Sequence, residues 1–246
     1  MRNLLICLVS VAAFGTAQAA ATADAPIRIA LGWHVSLDAQ GHVTKLQPIP
    51  DRQIDRVPLI RQKLEEAIHE WNFMPGTVNG RPESTDTGLF VHAELPVRDG
   101  RITQIRIMSA DVGGSFAKMT PPRYPAEAIG RHDTGEVVLR ISYDAEGKPT
   151  DIELMPDSPT TSKLLVEASV KAARSWTFQP EIVGGRALAG TSVVPICYAL
   201  NVLDTNRKEG KCDWKAPGHD RALENGEALA LDPAAKLLTD VAGRTL

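Results

Sequence analysis

The residues able to do chemistry are few, and their spacing decides what they could do. Cysteine stands at Cys7, Cys197 and Cys212. Cys7 lies in an apolar N-terminal run, which leaves Cys197 and Cys212 as an even pair. In an oxidising compartment such a pair reads as one disulfide that closes a short loop and tethers the tail. The other reading is two unrelated thiols, one in a strand and one on a loop. Without a nearby His pair, two cysteines do not make a zinc site. The six histidines (His34, His42, His69, His92, His132 and His219) form no H-x-x-x-H or H-E-x-x-H pair, which excludes a metalloprotease helix. His34 and His42 flank one hairpin and His92 lies on the strand closing the same sheet, so solvated strand faces are expected rather than a surface metal site. Gly113-Gly114-Ser115 lacks the lysine of a phosphate loop. No G-x-S-x-G pattern occurs and no carboxylate pair recurs. The expectation is a protein that is not an enzyme and uses no cofactor and no metal.

The elements that must position these residues come in two similar sets. Trp71-Asn72-Phe73-Met74-Pro75 recurs as Trp176-Thr177-Phe178-Gln179-Pro180, an offset of 105 positions. At the same offset Gly80-Arg81 becomes Gly185-Arg186, and Leu95 becomes Leu200. Asp38-Ala39-Gln40-Gly41 becomes Asp144-Ala145-Glu146-Gly147 at an offset of 106. Three patterns in the same order twice make an internal repeat.

Each copy follows one plan. Trp33 to Leu37 and Val137 to Tyr143 alternate apolar and polar residues, the period of a half-buried strand. D-A-x-G then supplies a turn, with an Asp that bonds its own backbone and a Gly free to take positive φ. Return strands carry Val43 and Leu46, then Ile152 and Leu154; Pro149 marks the second as an edge. Helical spacing follows in Ile60, Leu64, Ala67, Ile68 and Trp71, with Pro58 in the first turn. The second helix carries Leu165, Ala168, Ala172 and Trp176, with Thr161 or Ser162 as N-cap. A G-R turn leads to a last strand, Leu89 to Leu95 or Thr191 to Leu200. The fold class expected is α+β: two tandem modules, each an antiparallel β-β-α-β sheet with a helix on one face. Trp71 and Trp176 are expected to clamp helix to sheet.

The ends and joints complete the organisation. Arg2, the apolar run from Leu4 to Phe14 and Ala17-Gln18-Ala19 have the form of a signal peptide over 1–19, and the run is short for a membrane span. Cleavage after Ala19 implies the periplasm; an uncleaved signal implies an inner-membrane anchor. The first module spans 24–110, with an extra strand from Ile102, Ile105 and Ile107 after the Asp99-Gly100 turn. A linker is expected at 111–119, a second domain at 120–200, and a polar tail at 201–246. The tail ends in a helix opening at Asp232-Pro233, with Leu237, Leu238 and Val241 on one face. The formal net charge of −3 and the 5% aromatic content favour neither nucleic acid nor sugar as partner.

The second copy resembles the C-terminal domain of the TonB energy-transducer family. The residues that carry this are Pro122-Arg123-Tyr124-Pro125-Ala126-Glu127-Ala128, Gly135-Glu136-Val137, Asp144 to Gly147, Trp176 to Pro180, and Pro195-Ile196-Cys197-Tyr198-Ala199-Leu200. The first copy lacks the P-x-Y-P opening and shows Pro26-Ile27-Arg28-Ile29 instead. A full transducer of that family has an uncleaved anchor and a long Pro-rich spacer. With a cleavable signal and no such spacer, the chain is not expected to draw on an inner-membrane proton-driven motor in that family's way. The resemblance implies a partner: a periplasmic segment of an outer-membrane receptor or other envelope protein, which adds as a strand to the sheet edge. The residues it assigns are Pro122, Tyr124, Pro125, Thr191, Val193, Val194, Ile196 and Tyr198. Self-association is the second expected mode, and an envelope scaffold without peptide capture is the alternative function.

Overall fold

The computed structural model describes residues 24–50, 58–160, 162–200, 212–219 and 221–246. The signal segment 1–19 and Thr161 lie outside the described residues. In chain order the elements are β1 (Asp24–Leu37), β2 (Val43–Pro48), α1 (Pro58–His69), β3 (Phe73–Met74), β4 (Thr77–Val78), β5 (Arg81–Pro82), β6 (Thr85–Arg98), β7 (Arg101–Ile102), β8 (Arg106–Gly113) and β9 (Ser115–Lys118). They continue as α2 (Ala126–Gly130), β10 (Gly135–Tyr143), β11 (Pro149–Leu154), α3 (Lys163–Ala173), β12 (Thr177–Gln179), β13 (Ile182–Val183), β14 (Arg186–Ala187), β15 (Gly190–Tyr198), β16 (Leu229–Ala230) and β17 (Lys236–Leu237). The protein is rich in sheet and has few helices. No helix among the described residues is long and apolar enough to cross a membrane.

The first sheet runs β14-β13-β6-β1-β2, with β7 and β8 also on β6; the second runs β11-β10-β15-β16. Positions repeated in sequence hold matching places in the ladders. Trp33 opposes Leu89 in the first sheet, and Leu139 opposes Val194 in the second. Val35 opposes Leu46, and Ile141 opposes Ile152. The turns show why D-A-x-G recurs. Asp38 Oδ1 accepts the amides of Gln40 and His42, and Asp144 Oδ1 those of Glu146 and Lys148. Gly41 and Gly147 have φ of 86° and 77°, and a Cβ on either would collide with the carbonyl of Phe73 or Phe178. Those same phenylalanines donate their amides to the glycine carbonyls, at 3.2 and 2.8 Å. Each turn is thereby fastened to the strand that follows its helix.

Helix α1 buries Ile60, Leu64 and Ile68, one face at a spacing of four, against a core with Trp33, Trp71, Leu89 and Leu95. Helix α3 buries Leu165, Ser169 and Ala173, one position later in phase than the expected Ala168 and Ala172. A serine fits that face because its hydroxyl is satisfied, by the Leu165 carbonyl and the Tyr198 hydroxyl, both at 2.8 Å. Ser162 is the N-cap residue of α3, but its hydroxyl donates to Asp133 Oδ2 at 2.7 Å instead of capping the helix. Trp71 and Trp176 are 4% and 1% exposed, and the Trp176 indole N–H donates to the Thr120 carbonyl at 2.8 Å.

Two sequence expectations fail at the joints. Residues 111–119 are not a free linker: Asp111, Val112 and Gly113 pair with Phe90, Leu89 and Gly88, and β9 pairs with β12. The two sheets are further joined where Ile182 and Val183 pair with Asp86 and Thr85 of β6. The expected terminal helix is also absent. The run from Asp232 forms bends, the short β17 and a turn instead, because backbone groups in the first half of the chain take its bonds: β17 pairs with β3, Leu238 N donates to Asn72 O, and Leu246 N donates to Ile105 O. Ala235 and Val241 are buried in the first core in consequence. The tail is not simply polar.

Candidate partner-binding edge

Strand β15 is the closing strand that the resemblance singles out. Its inner neighbour is β10, from Gly135↔Tyr198 to Tyr143↔Gly190. Both faces of this pair are covered. Val194, Ile196 and Tyr198 point into the helix-side core with Leu139, Leu165 and Trp176. Val193 faces the other way with Val138, where Trp214, Ala216, Leu223 and Leu229 of the tail pack over it. Of the expected site residues, Val193, Val194, Ile196 and Tyr198 are buried and Thr191 is half-buried. Their side chains therefore form no shared exposed surface. What β15 offers a partner is main chain along its outer edge.

That edge is occupied by the tail. Leu229 and Ala230 pair with Val193 and Ser192. Leu231 N donates to Thr191 O at 2.9 Å, and Gly226 N to Pro195 O at 2.7 Å. Cys197 N donates to Asn225 Oδ1 at 3.0 Å. The odd-numbered residues of β15 thus face the tail, as alternation in an antiparallel pair requires. Pro195 falls in that set and has no N–H to give, so the edge lacks a donor at its middle. Cys197 and Cys212 are joined as a disulfide with Cα atoms 5.7 Å apart, which fixes the start of the described tail beside the strand. Glu136 lies by this pair, but bonded sulfurs do not ligate a metal. Trp214 fixes the next turn: its amide donates to Glu136 Oε2 at 2.9 Å and its indole N–H to Asp157 Oδ2 at 3.0 Å. Sequence reasoning missed Trp214; a lone large aromatic two residues beyond a paired cysteine was the available signal.

The P-x-Y-P segment lies at the end of the same strand. Pro122, Tyr124 and Pro125 are half-buried. The Tyr124 hydroxyl donates to the Asp133 carbonyl, and its ring meets Tyr198 edge-on with centroids 5.0 Å apart. Burial, and then the nearby Asp133 charge, raise the Tyr124 pKa. Tyr198 is raised by burial despite its bond with Ser169. A cavity of about 200 Å³ opens between Pro122, Tyr124, Ile196, Tyr198 and Asn225.

A polar cluster lies under the tail on the first sheet. His92, expected on a solvated strand face, is buried, and its Nε2 lies 3.1 Å from Glu227 Oε1. The tail loop reverses the expectation by covering that face. Arg221 donates to Asp111 Oδ2 at 2.8 Å, to Ser109 Oγ at 2.9 Å and to Glu227 Oε2 at 2.9 Å. Burial pulls the Glu227 carboxyl up, but the bonds from His92 and Arg221 outweigh it and hold the pKa at about 2. Burial likewise lowers Arg221, and its carboxylate partners overcome this and raise it. His92, Asp111 and Glu227 have metal-ligand spacing, but the guanidinium already supplies the cation there. His34 and His42 do not join this cluster; His42 Nδ1 lies 3.1 Å from its own turn's Asp38.

Contrary to the expectation that no S-x-x-K pattern occurs, Ser115-Phe116-Ala117-Lys118 has that spacing. It lies on β9, where residues three apart face opposite sides; Ser115 is buried and Lys118 exposed, so they do not form a nucleophile–base pair.

The family model described as Gram-negative bacterial TonB protein C-terminal matches residues 120–200. Over 94 residues the chain is 35% identical to Protein TonB of Xanthomonas campestris pv. campestris (strain B100), covering 38% of this chain and 41% of that protein. It is 39% identical over 80 residues to Protein tonB2 of Pseudomonas aeruginosa, covering 32% and 29%. The solution NMR structure of the Pseudomonas aeruginosa TonB CTD aligns at 22% identity and a TM-score of 0.32, covering 36% of this chain and 88% of that one. The chain spans about two fifths of the length of the first of these relatives. The part from 120 to 200 is similar to the TonB C-terminal domain.

Proposed function

We propose that this chain is a periplasmic protein-binding module of two tandem TonB-C-terminal-like units, whose second unit engages a periplasmic segment of an outer-membrane receptor or another envelope protein by strand addition to β15. The observation that carries the reading is that the outer edge of β15 accepts a strand, in this structure the chain's own Leu229–Ala230. The match over 120–200 supports the kind of partner. Main-chain bonding at Thr191, Val193 and Cys197 supplies affinity. Pro122, Tyr124, Pro125 and the cavity beside Tyr198 supply a place for a side chain at the strand's end. A second copy of this chain donating its own tail strand is the self-association mode of the same edge.

A second reading has one specific observation in its favour. The occupied edge suits an envelope scaffold that captures no peptide, since a covered edge resists pairing with other chains. Titrating isotope-labelled full-length protein with peptides from the periplasmic ends of outer-membrane receptors separates the two. Shifts running along Thr191 to Tyr198, lost when the central peptide residue is proline, support strand addition. If no shifts appear in the wild type or in Leu229→Asp, which loosens the tail strand, the scaffold reading replaces it.

A further inference from the structure

We propose that the tail segment from Leu223 to Leu231 is an internal strand ligand, gated by the first sheet through the Arg221–Glu227 cluster on His92, Ser109 and Asp111. The proposal rests on the reading of β15 as the partner-binding edge and concerns what controls access to it.

The fastening of the segment is unequal on its two sides. Toward β15 it has two paired residues, the flanking bonds to Thr191 and Pro195, and one bond that the Asn225 side chain accepts from the Cys197 amide. Proline at 195 removes a donor from the middle of that interface. Toward the first sheet it has the charge-assisted bond from Arg221 to Asp111 and the His92–Glu227 contact, and Arg221 ties the two together by donating to Glu227 within the tail. Glu227 Oε2 also accepts the amide of Glu224 at 2.7 Å, closing the loop on itself. Charge-assisted bonds are roughly twice as strong as neutral ones. Removing one charge from a buried cluster leaves the others uncompensated, which makes the loop open as a unit rather than fray.

The slot also states what could replace the tail. Gly113, at the end of β8, abuts Ala230, and a Cβ on Gly113 would overlap the Ala230 Cβ. Leu229 enters the apolar cluster of Val138, Val193, Trp214 and Leu223. A competing strand therefore needs a small residue facing Gly113 beside an aliphatic one in the place of Leu229. Both halves of the chain build the slot: β8 from the first and β15 from the second.

The test is amide hydrogen exchange on the full chain as wild type, Arg221→Ala and Glu227→Gln. Val193 and Cys197 amides face the tail, whereas Val194 and Ile196 face β10, so one strand carries probe and control. In Arg221→Ala, Val193 and Cys197 should exchange at least about tenfold faster while Val194 and Ile196 stay protected, with a smaller change in Glu227→Gln. A synthetic peptide spanning Leu223–Pro233 should then bind Arg221→Ala and not the wild type. The proposal is overturned if the edge amides are unchanged in both variants. It is equally overturned if all four amides accelerate together in both, or if the peptide binds wild type and Arg221→Ala equally. An edge that opens as described and still takes no receptor peptide leaves the latch standing and removes the partner reading.

Discussion

Replacing Glu181 by alanine tests the joint between the two sheets and the tail at a single atom group. The side chain is 7% exposed, directly after the Pro180 that ends the W-x-F-x-P pattern. Its Oε1 accepts from Thr87 Oγ1 at 2.7 Å and from Ala235 N at 3.3 Å, and its Oε2 from Ala234 N at 2.6 Å. One carboxylate, between β12 and β13, thus holds β6 and the tail together. A hydrogen bond to a charged group contributes about 1.5–3 kcal/mol, and a buried donor left alone costs about 1–3 kcal/mol. The losses are not equal. Thr87 keeps a long contact to the Gly88 carbonyl at 3.4 Å, and the half-buried Ala234 amide can turn to water. The buried Ala235 amide has no such escape. Glu181→Ala should therefore cost about 3–5 kcal/mol, and Glu181→Gln, which keeps one accepting oxygen, about 1–2 kcal/mol. Urea denaturation gives the magnitude, and hydrogen exchange over 232–246 gives the location. A cost below about 1 kcal/mol for the alanine variant would refute the claim that this carboxylate is the joint.

Glu227 sets an acid limit on the tail. Its folded pKa of about 2 lies below the ordinary value of 4.5, so its stabilisation is complete above the unfolded value and is lost as pH falls from there through about 2. Tryptophan fluorescence should report release of the Trp214 segment in that window, and a Glu227→Gln protein should lose the transition. The Cys197–Cys212 bond closes a separation of 15 residues, so the double Cys→Ser variant should lose about 3 kcal/mol in the chain-entropy account, read from urea midpoints against oxidised wild type. Free thiols on native alkylation would contradict the bond itself. Trp71→Ala and Trp176→Ala should each cost about 3–5 kcal/mol in thermal or urea unfolding, since each is almost fully buried. An unchanged melting temperature in either would remove it from the core.

What could be read from the residues is what local chemistry dictates. D-A-x-G fixes a turn because its Asp and Gly act within four residues, and the turn appears as written at Asp38 and Asp144. Alternation fixed which residues of β1 and β10 face inward, and Pro149 marked β11 as the edge it is. The phase of α3 slipped by one position, and the larger failures are long-range. Nothing within Asp232–Leu246 signals that its backbone bonds are taken by Asn72, Ile105 and Ile107, so apolar spacing there mimicked a helix. Polar residues of the tail hid its packing role, because Trp214, Leu223 and Leu229 are single apolar residues that matter only where Val138 and Val193 lie beneath them. His92 looked solvated for the same reason: its partner is 135 positions away. The Gly-rich joint at 113–114 read as a linker because glycine also serves close backbone approach. Gly113 has a φ of 138° and no room for a Cβ beside Ala230.

The edge itself illustrates why a resemblance could locate the strand but not its state. Gly88 and Val193 stand at the repeat offset, and each is paired on its outer side, Gly88 with Gly113 and Val193 with Leu229. Both closing strands are thus covered by a segment of the same chain, which removes the row of free N–H and C=O groups that would otherwise invite other strands. The coverings differ in strength. On β6 the covering strand β8 makes seven paired positions, from Gly88 to Glu94, and follows closely in sequence. On β15 the covering strand makes two, and it returns from beyond Cys212. Exchanging β8 for another chain would break a continuous ladder, whereas exchanging β16 breaks two pairs and a few flanking bonds. If either edge gives way to a partner, it is β15. Comparative hydrogen exchange makes this concrete: amides of β15 that face the tail should open at lower free energy than those of β6 that face β8. The reverse order would mean that the first sheet carries the exchangeable edge.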